Sequence, residues 1–261
     1  MRKSLSPLEK EWNKVEKQEQ TYMQKRMEKK DSRLNQLLEK KVPQSLQSKL
    51  DIAFSKAFYL IFEKGTGIIE KTYSREELEK TYQINEYTEQ VRKNRKSLKT
   101  FSQKAASAGN VNLLLSGVSG IGLGVLGIGI PDIVLFTGLM LKSVYEIALN
   151  YGFDYEDKRE QLLILKMMAA SLLSGEEWQE ANAEVNAILN IPDGYVDEEE
   201  LREQLERTAS VFAMDMLILK FIQGLPVVGI FGGVANPIYY KRVLNYVQLK
   251  YRKRYLLKQM K

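Results

Sequence analysis

Gly117–Asp132 reads GVSGIGLGVLGIGIPD, the middle of an apolar run from Ala105 to Pro131 that holds no charged residue. A weaker echo, GLPVVGIFGGVANP, occupies Gly224–Pro237. Twenty residues of helix cover about 30 Å, the thickness of a bilayer core, so length alone would allow the first run to span a membrane. Composition argues otherwise. Six glycines lie between Gly117 and Gly129, each weakening a helix by up to about 1 kcal/mol relative to alanine. Asn112, Ser116 and Ser119 add polarity, and the second run is interrupted by Pro226 and Asn236. Small residues let backbones approach closely, in membrane and membrane-like packing alike. The two runs are therefore expected to pack at the centre of a helical bundle or against a membrane, and integral insertion is the alternative. The positions expected to make those contacts are Gly117, Gly120, Gly122, Gly124, Gly127 and Gly129 in the first run and Gly229, Gly232 and Gly233 in the second.

Gly122–Gly127 also satisfies GxGxxG. A dinucleotide site needs a strand before that motif and a helix after it. Here a basic helical pattern precedes it and Pro131 follows four residues after the third glycine, so no nucleotide is expected. The chain has no histidine and no cysteine, which removes the commonest general base, the commonest metal ligand and the thiol nucleophile. No cofactor or metal is expected. Asp132, Asp215 and Lys220 sit in apolar surroundings where burial would shift a pKa, yet no nucleophile–base arrangement can be built, and the reading is non-enzymatic. The competing class is a soluble enzyme or small-molecule binder with a glycine-lined pocket, for which Asp132, Asn236 and tyrosines would supply the polar groups.

Outside the two runs the pattern is helical throughout. Ser6-Pro7-Leu8-Glu9 and Ser74-Arg75-Glu76-Glu77 are capping boxes, in which hydroxyl and carboxylate satisfy free backbone donors of a first turn. The helix opened by Ser6 is polar and is expected to form an arm over residues 1–43, leaving 44–261 as the main helical domain. Leu46 to Ile61 places apolar residues at three- and four-residue spacing. Ile133, Phe136, Met140, Val144, Ile147 and Tyr151 trace another stripe, closed by Gly152 as a C-cap. Two shorter helices follow around Leu162–Leu173 and Trp178–Leu189, and the pattern resumes from Leu201. With 44% hydrophobic residues in 261 the chain can bury a sizeable core, and the fold expected is all-α.

Net charge is +6 but segregated: residues 143–215 hold 17 acidic and 5 basic groups, and no acidic residue follows Asp215. Arg92–Lys104 and the tail are basic. Arg92, Lys93, Arg95 and Lys96, with Arg252, Lys253 and Arg254, are therefore the candidates for contact with anionic lipid. The tail interleaves tyrosines with cations, but no nucleic-acid-binding module accompanies it, and nucleic acid is not expected as a partner. The first 50 residues hold no apolar leader, which leads to the expectation of a cytoplasmic protein.

The stretch from Ser116 through FDYED, the acidic helical region, and GLPVVGIFGGVANPIYYKRVLNYVQLKYRKR together resemble the EcsC family of bacterial proteins. The positions that carry the resemblance are Pro131, Asp132, Ile147, Ala148, Tyr151, Gly152 and Asp154, then Pro226, Gly229, Gly233 and Asn236, and it extends over roughly residues 45 to 255. It implies an accessory protein linked to an ABC transporter system, peripheral at the inner face of the plasma membrane, with no catalytic residues to carry over.

Overall fold

The computed structural model describes residues 5–27, 43–62, 74–92, 94, 96, 98–99, 103, 130–190, 194–222 and 237–260. Eight helices make up this part of the chain: α1 (Pro7–Met27), α2 (Gln44–Leu60), α3 (Arg75–Arg92), α4 (Ile130–Asn150), α5 (Lys158–Leu172), α6 (Gly175–Asn190), α7 (Glu198–Ile222) and α8 (Pro237–Met260). Among the described residues there is no strand, and the all-α class expected from periodicity is what is seen. Both runs of glycines, at 117–129 and 224–236, lie outside the described residues.

Local sequence sets the helix ends as the capping boxes require. The Ser6 amide donates to Glu9 Oε2 at 2.6 Å while Ser6 Oγ accepts from the Glu9 amide at 3.2 Å, with Pro7 as the first helical residue. Ser74 Oγ likewise accepts from the Glu77 amide at 3.2 Å, and Asp157 caps α5 through the Arg159 amide at 2.7 Å. At the end of α4 the Gly152 amide donates to the Leu149 carbonyl at 2.9 Å and the Phe153 amide to the Ala148 carbonyl at 3.0 Å. Gly152 has φ +76°. This is a Schellman closure, with glycine at the left-handed position.

The centre of the described body is α4 and α5. Every residue from Met140 to Tyr151 is buried, with Lys142, Ser143, Glu146 and Asn150 buried alongside the apolar stripe. Phe54 and Phe58 of α2 meet Phe212 of α7, and Tyr145 of α4 stacks on Tyr155 at 4.2 Å between centroids. Tyr151 and Phe153 meet Tyr251 of α8.

Cross-helix bonds give the directions. α8 runs antiparallel to α1, since Arg252 meets Glu11 while Tyr246 meets Tyr22. It runs antiparallel to α5, since Arg254 meets Glu160 while Arg242 meets the Ser171 carbonyl. It is parallel to α4, pairing Tyr240 with Ser143 and Tyr251 with Tyr151. The bond from Tyr240 to the Leu139 carbonyl (3.0 Å) and that from Arg242 to Asp215 (3.2 Å) place the starts of α4 and α8 and the end of α7 at one end of the bundle. Ile130, Ile222 and Pro237, the described residues bordering the two glycine-rich runs, are thus helix termini directed toward that end. Among the described residues no helix is long and apolar enough to cross a membrane.

The N-terminal helix departs from the expected arm. Val15 is fully buried, Leu8, Trp12 and Tyr22 pack against the core, and Glu11 and Arg26 are buried with it. A repeat of Glu11, Val15, Glu19, Tyr22 and Arg26 at three- and four-residue spacing turns one mixed face toward α8 and α6, so residues 7–27 are docked on the body.

Candidate functional site

Pro131, Asp132, Tyr151, Gly152 and Asp154 of the family-motif positions fall on described helical or corner residues. Pro131 and Asp132 lie in the first turn of α4, with no side chain described. Tyr151 packs on Tyr251 and Tyr255, and Gly152 supplies the positive φ. Asp154 accepts from the Glu156 amide at 3.0 Å and pairs with Arg75 at 3.0 Å. Arg75 also reaches Glu156 at 2.9 Å and lies over the Tyr155 ring. The Tyr151–Asp154 motif thus builds the corner on which α3 docks. Pro226 and Asn236 are outside the described residues, so the pocket expected from Asp132, Asn236 and the glycines is too.

The basic tail is placed differently from the surface expected for it. Arg252 bonds Glu11 and, at 3.2 Å, Gln18; Lys253 bonds Glu19. Arg254 donates to Glu160 Oε2 at 2.5 Å and lies 3.9 Å over the Phe153 ring. All three face carboxylates of the chain itself, because half-buried cations need counter-charges where water is excluded. Charge segregation along the sequence is thereby undone in space: Glu160 belongs to the acidic stretch and Arg254 to the basic tail.

Lys250, which sequence patterning did not single out, is fully buried between Glu19 and Asn186, the latter at 2.8 Å. Burial pulls it down to about 8, with Glu19 opposing; burial also works to raise Glu19, but Lys250 and Lys253 outweigh that and hold it below the usual carboxylate range. Burial raises Glu160 despite Arg254 and the 2.6 Å bond from Tyr251.

A second buried polar group sits on α4. Lys142 and Glu146 are 3.9 Å apart, one turn from each other, and burial pushes Glu146 up to about 7 with Lys142 opposing. Ser143 beside them shares a hydrogen bond with Tyr240. The serine's partner is a phenol, not a base, so this cluster holds no nucleophile–base pair. Among the described residues no group of three or more carboxylates gathers to hold a metal ion.

The described surface with the most evident capacity for contact is the outer face of α3. Leu78, Tyr82, Glu86 and Glu89 turn toward the body. Among the described residues from Gln83 to Lys99 the exposed positions are Gln83, Ile84, Tyr87, Gln90, Val91, Arg92, Asn94, Lys96 and Lys99. They include no carboxylate. Ile84, Tyr87 and Val91 form one stripe and are 65%, 68% and 65% exposed, whereas a surface helix ordinarily buries its apolar stripe. Of the expected lipid contacts, Arg92 at the end of α3 and Lys96 just beyond it are exposed, while Lys93 and Arg95 lie outside the described residues. The apolar stripe was missed in the sequence because spacing of three and four residues is what a core-facing helix shows as well.

No curated protein and no solved structure matches the chain. The model of the EcsC protein family matches residues 8–256, which takes in α1 as well as the part from residue 45 onward. With this match over nearly its whole length, on an all-helical body whose Tyr151–Asp154 corner is intact, the chain belongs to the EcsC family.

Proposed function

We propose that this EcsC-family protein is a peripheral membrane protein that docks on an anionic lipid surface through the outer face of α3. The observation that carries this reading is the exposed stripe of Ile84, Tyr87 and Val91 continuing into Arg92, Lys96 and Lys99 without an exposed carboxylate. An interfacial helix works in this way: apolar side chains enter the headgroup boundary while cations meet phosphate. Each Lys or Arg near an anionic surface contributes about 1 kcal/mol, and the three side chains of the stripe add apolar burial. The inner face of a bacterial plasma membrane, rich in anionic lipid, is the surface this chemistry fits, and a membrane-protein partner such as an ABC transporter would be met there.

Flotation with phosphatidylcholine vesicles, with and without phosphatidylglycerol, tests the reading. The protein should float with the anionic vesicles, bind less as salt rises, and lose binding at least about tenfold in the I84E/Y87E/V91E variant. All three positions are exposed, so the variant should keep its helical circular dichroism. Equal flotation of variant and parent would overturn docking by α3.

A further inference from the structure

The side of α2 turned away from the body repeats the chemistry of α3. Ala53, Phe54, Ala57 and Phe58 are buried. At about 3.6 residues per turn the opposite arc, about 100° wide, carries Ser48, Lys49, Ile52, Lys56 and Tyr59. All five are exposed, Ile52 by 54% and Tyr59 by 50%. The single carboxylate of α2, Asp51, lies off this arc and hydrogen-bonds Ser210 of α7. Among the described residues neither Lys49 nor Lys56 meets a counter-charge, whereas the cations near the end of α8 are committed to carboxylates of the chain. Exposed lysines beside an exposed isoleucine and tyrosine, with no exposed carboxylate on the same helix, suit an anionic interface, where a tyrosine ring sits at headgroup level.

The place of α2 on α4 matters as much as its chemistry. Gly138, Tyr145 and Gly152 are seven residues apart, about two turns each, so they trace one line along α4 to its C-cap. Ile61 at the end of α2 lies against Gly138, and Phe62 meets the Tyr145 ring. Tyr82 of α3 lies against Gly152. α2 and α3 therefore cover the same side of α4, each with its exposed stripe turned away from it. Resting on the docking of α3, we infer that the outer face of α2 is a second contact of the same membrane-facing side, with Ile52 and Tyr59 entering the headgroup boundary and Lys49 and Lys56 meeting lipid phosphate. Two patches on one body reinforce each other, because a bilayer engaged by one is presented to the other at high effective concentration.

The chain has no cysteine, so a single introduced cysteine can carry a fluorophore at a chosen position of the full chain. I52C, I84C and A183C place it on exposed positions of α2, α3 and α6, and α6 packs on α1, α5 and α8 instead of on the α2 side. The probe is a vesicle of phosphatidylcholine and phosphatidylglycerol that includes lipid with a nitroxide on its acyl chain. The labels of I52C and I84C should be quenched and that of A183C should not. Quenching of I84C alone would leave α3 docking standing and overturn the α2 contact. Quenching of I52C alone would support the α2 contact and overturn docking by α3. Quenching of neither, or equal quenching of all three, would overturn both. A second measurement uses K49Q/K56Q, which should bind these vesicles at least about tenfold more weakly than the parent, since each cation near an anionic surface is worth about fivefold. Equal binding would overturn the α2 contact. A change in solution mass for I52E/Y59E with vesicle binding unchanged would assign the face to a second copy of the chain and overturn it as well.

Discussion

At Gly152 the backbone takes φ +76°, and a Cβ added there would clash with the Tyr82 ring at 2.3 Å from its Cζ. Gly175, at the start of α6, has φ +63° but nothing within 4 Å of the same added atom. The pair separates two costs that a glycine can hide. Gly175→Ala should lose about 1 kcal/mol from left-handed backbone alone. Gly152→Ala should lose about 2 kcal/mol or more, because Tyr82 must also move off the corner where α3 docks. Urea denaturation of both variants checks this, and equal losses would mean that Tyr82 yields without cost. Gly152 as a C-cap could be read from the stripe that precedes it. The pairing of Asp154 with Arg75 could not, since the partners are 79 positions apart in the chain.

α8 shows how an element can satisfy its sequence pattern and still face a different environment. Tyr240, Leu244, Val247, Tyr251 and Tyr255 are buried as their spacing requires, but Lys250, Arg252 and Lys253 are turned onto α1 and Arg254 onto α5. Glu160, with 5% of its side chain exposed, depends on Arg254 for neutralisation. Removing one member of a buried pair leaves the other uncompensated, at a cost of about 3 kcal/mol, whereas replacing both can be nearly neutral. Arg254→Met should therefore destabilise strongly and Arg254→Met/Glu160→Gln should recover most of the loss, as a double-mutant cycle in urea would measure. Absence of recovery would place the arginine's contribution in its stacking on Phe153. α3 presents the opposite case, an apolar stripe left facing outward while Glu86 and Glu89 turn in.

For the molecule as a whole, the central position of α4 makes stability depend on pH through Glu146. Its carboxyl titrates near 4.5 in the unfolded chain and is pushed up to about 7 in the fold, chiefly by burial. Between those values the native state holds a proton that the unfolded chain has released. Its contribution is thus fully present below about 4.5, declines as pH rises, and is lost above about 7. Glu146→Gln should flatten the fall in unfolding free energy between pH 5 and pH 7, on the order of 1–3 kcal/mol. Chemical denaturation across that range is the check, and an unchanged slope would show that other carboxyls set it.

The sequence by itself determined the helical class, the capped starts of α1 and α3, the buried stripe of α4 and its closure at Gly152, and a family resemblance from residue 45 onward. These rest on interactions between residues three to four apart, which a linear pattern records. Only the tertiary structure decided that α1 is docked on the body, that Arg252, Lys253 and Arg254 meet Glu11, Glu19 and Glu160, and that the stripe of α3 faces out. A period of 3.6 residues identifies a face but not what it meets. The partner of Lys250 is 231 residues away in the chain, so its environment is set by how the helices are arranged and not by the sequence around it.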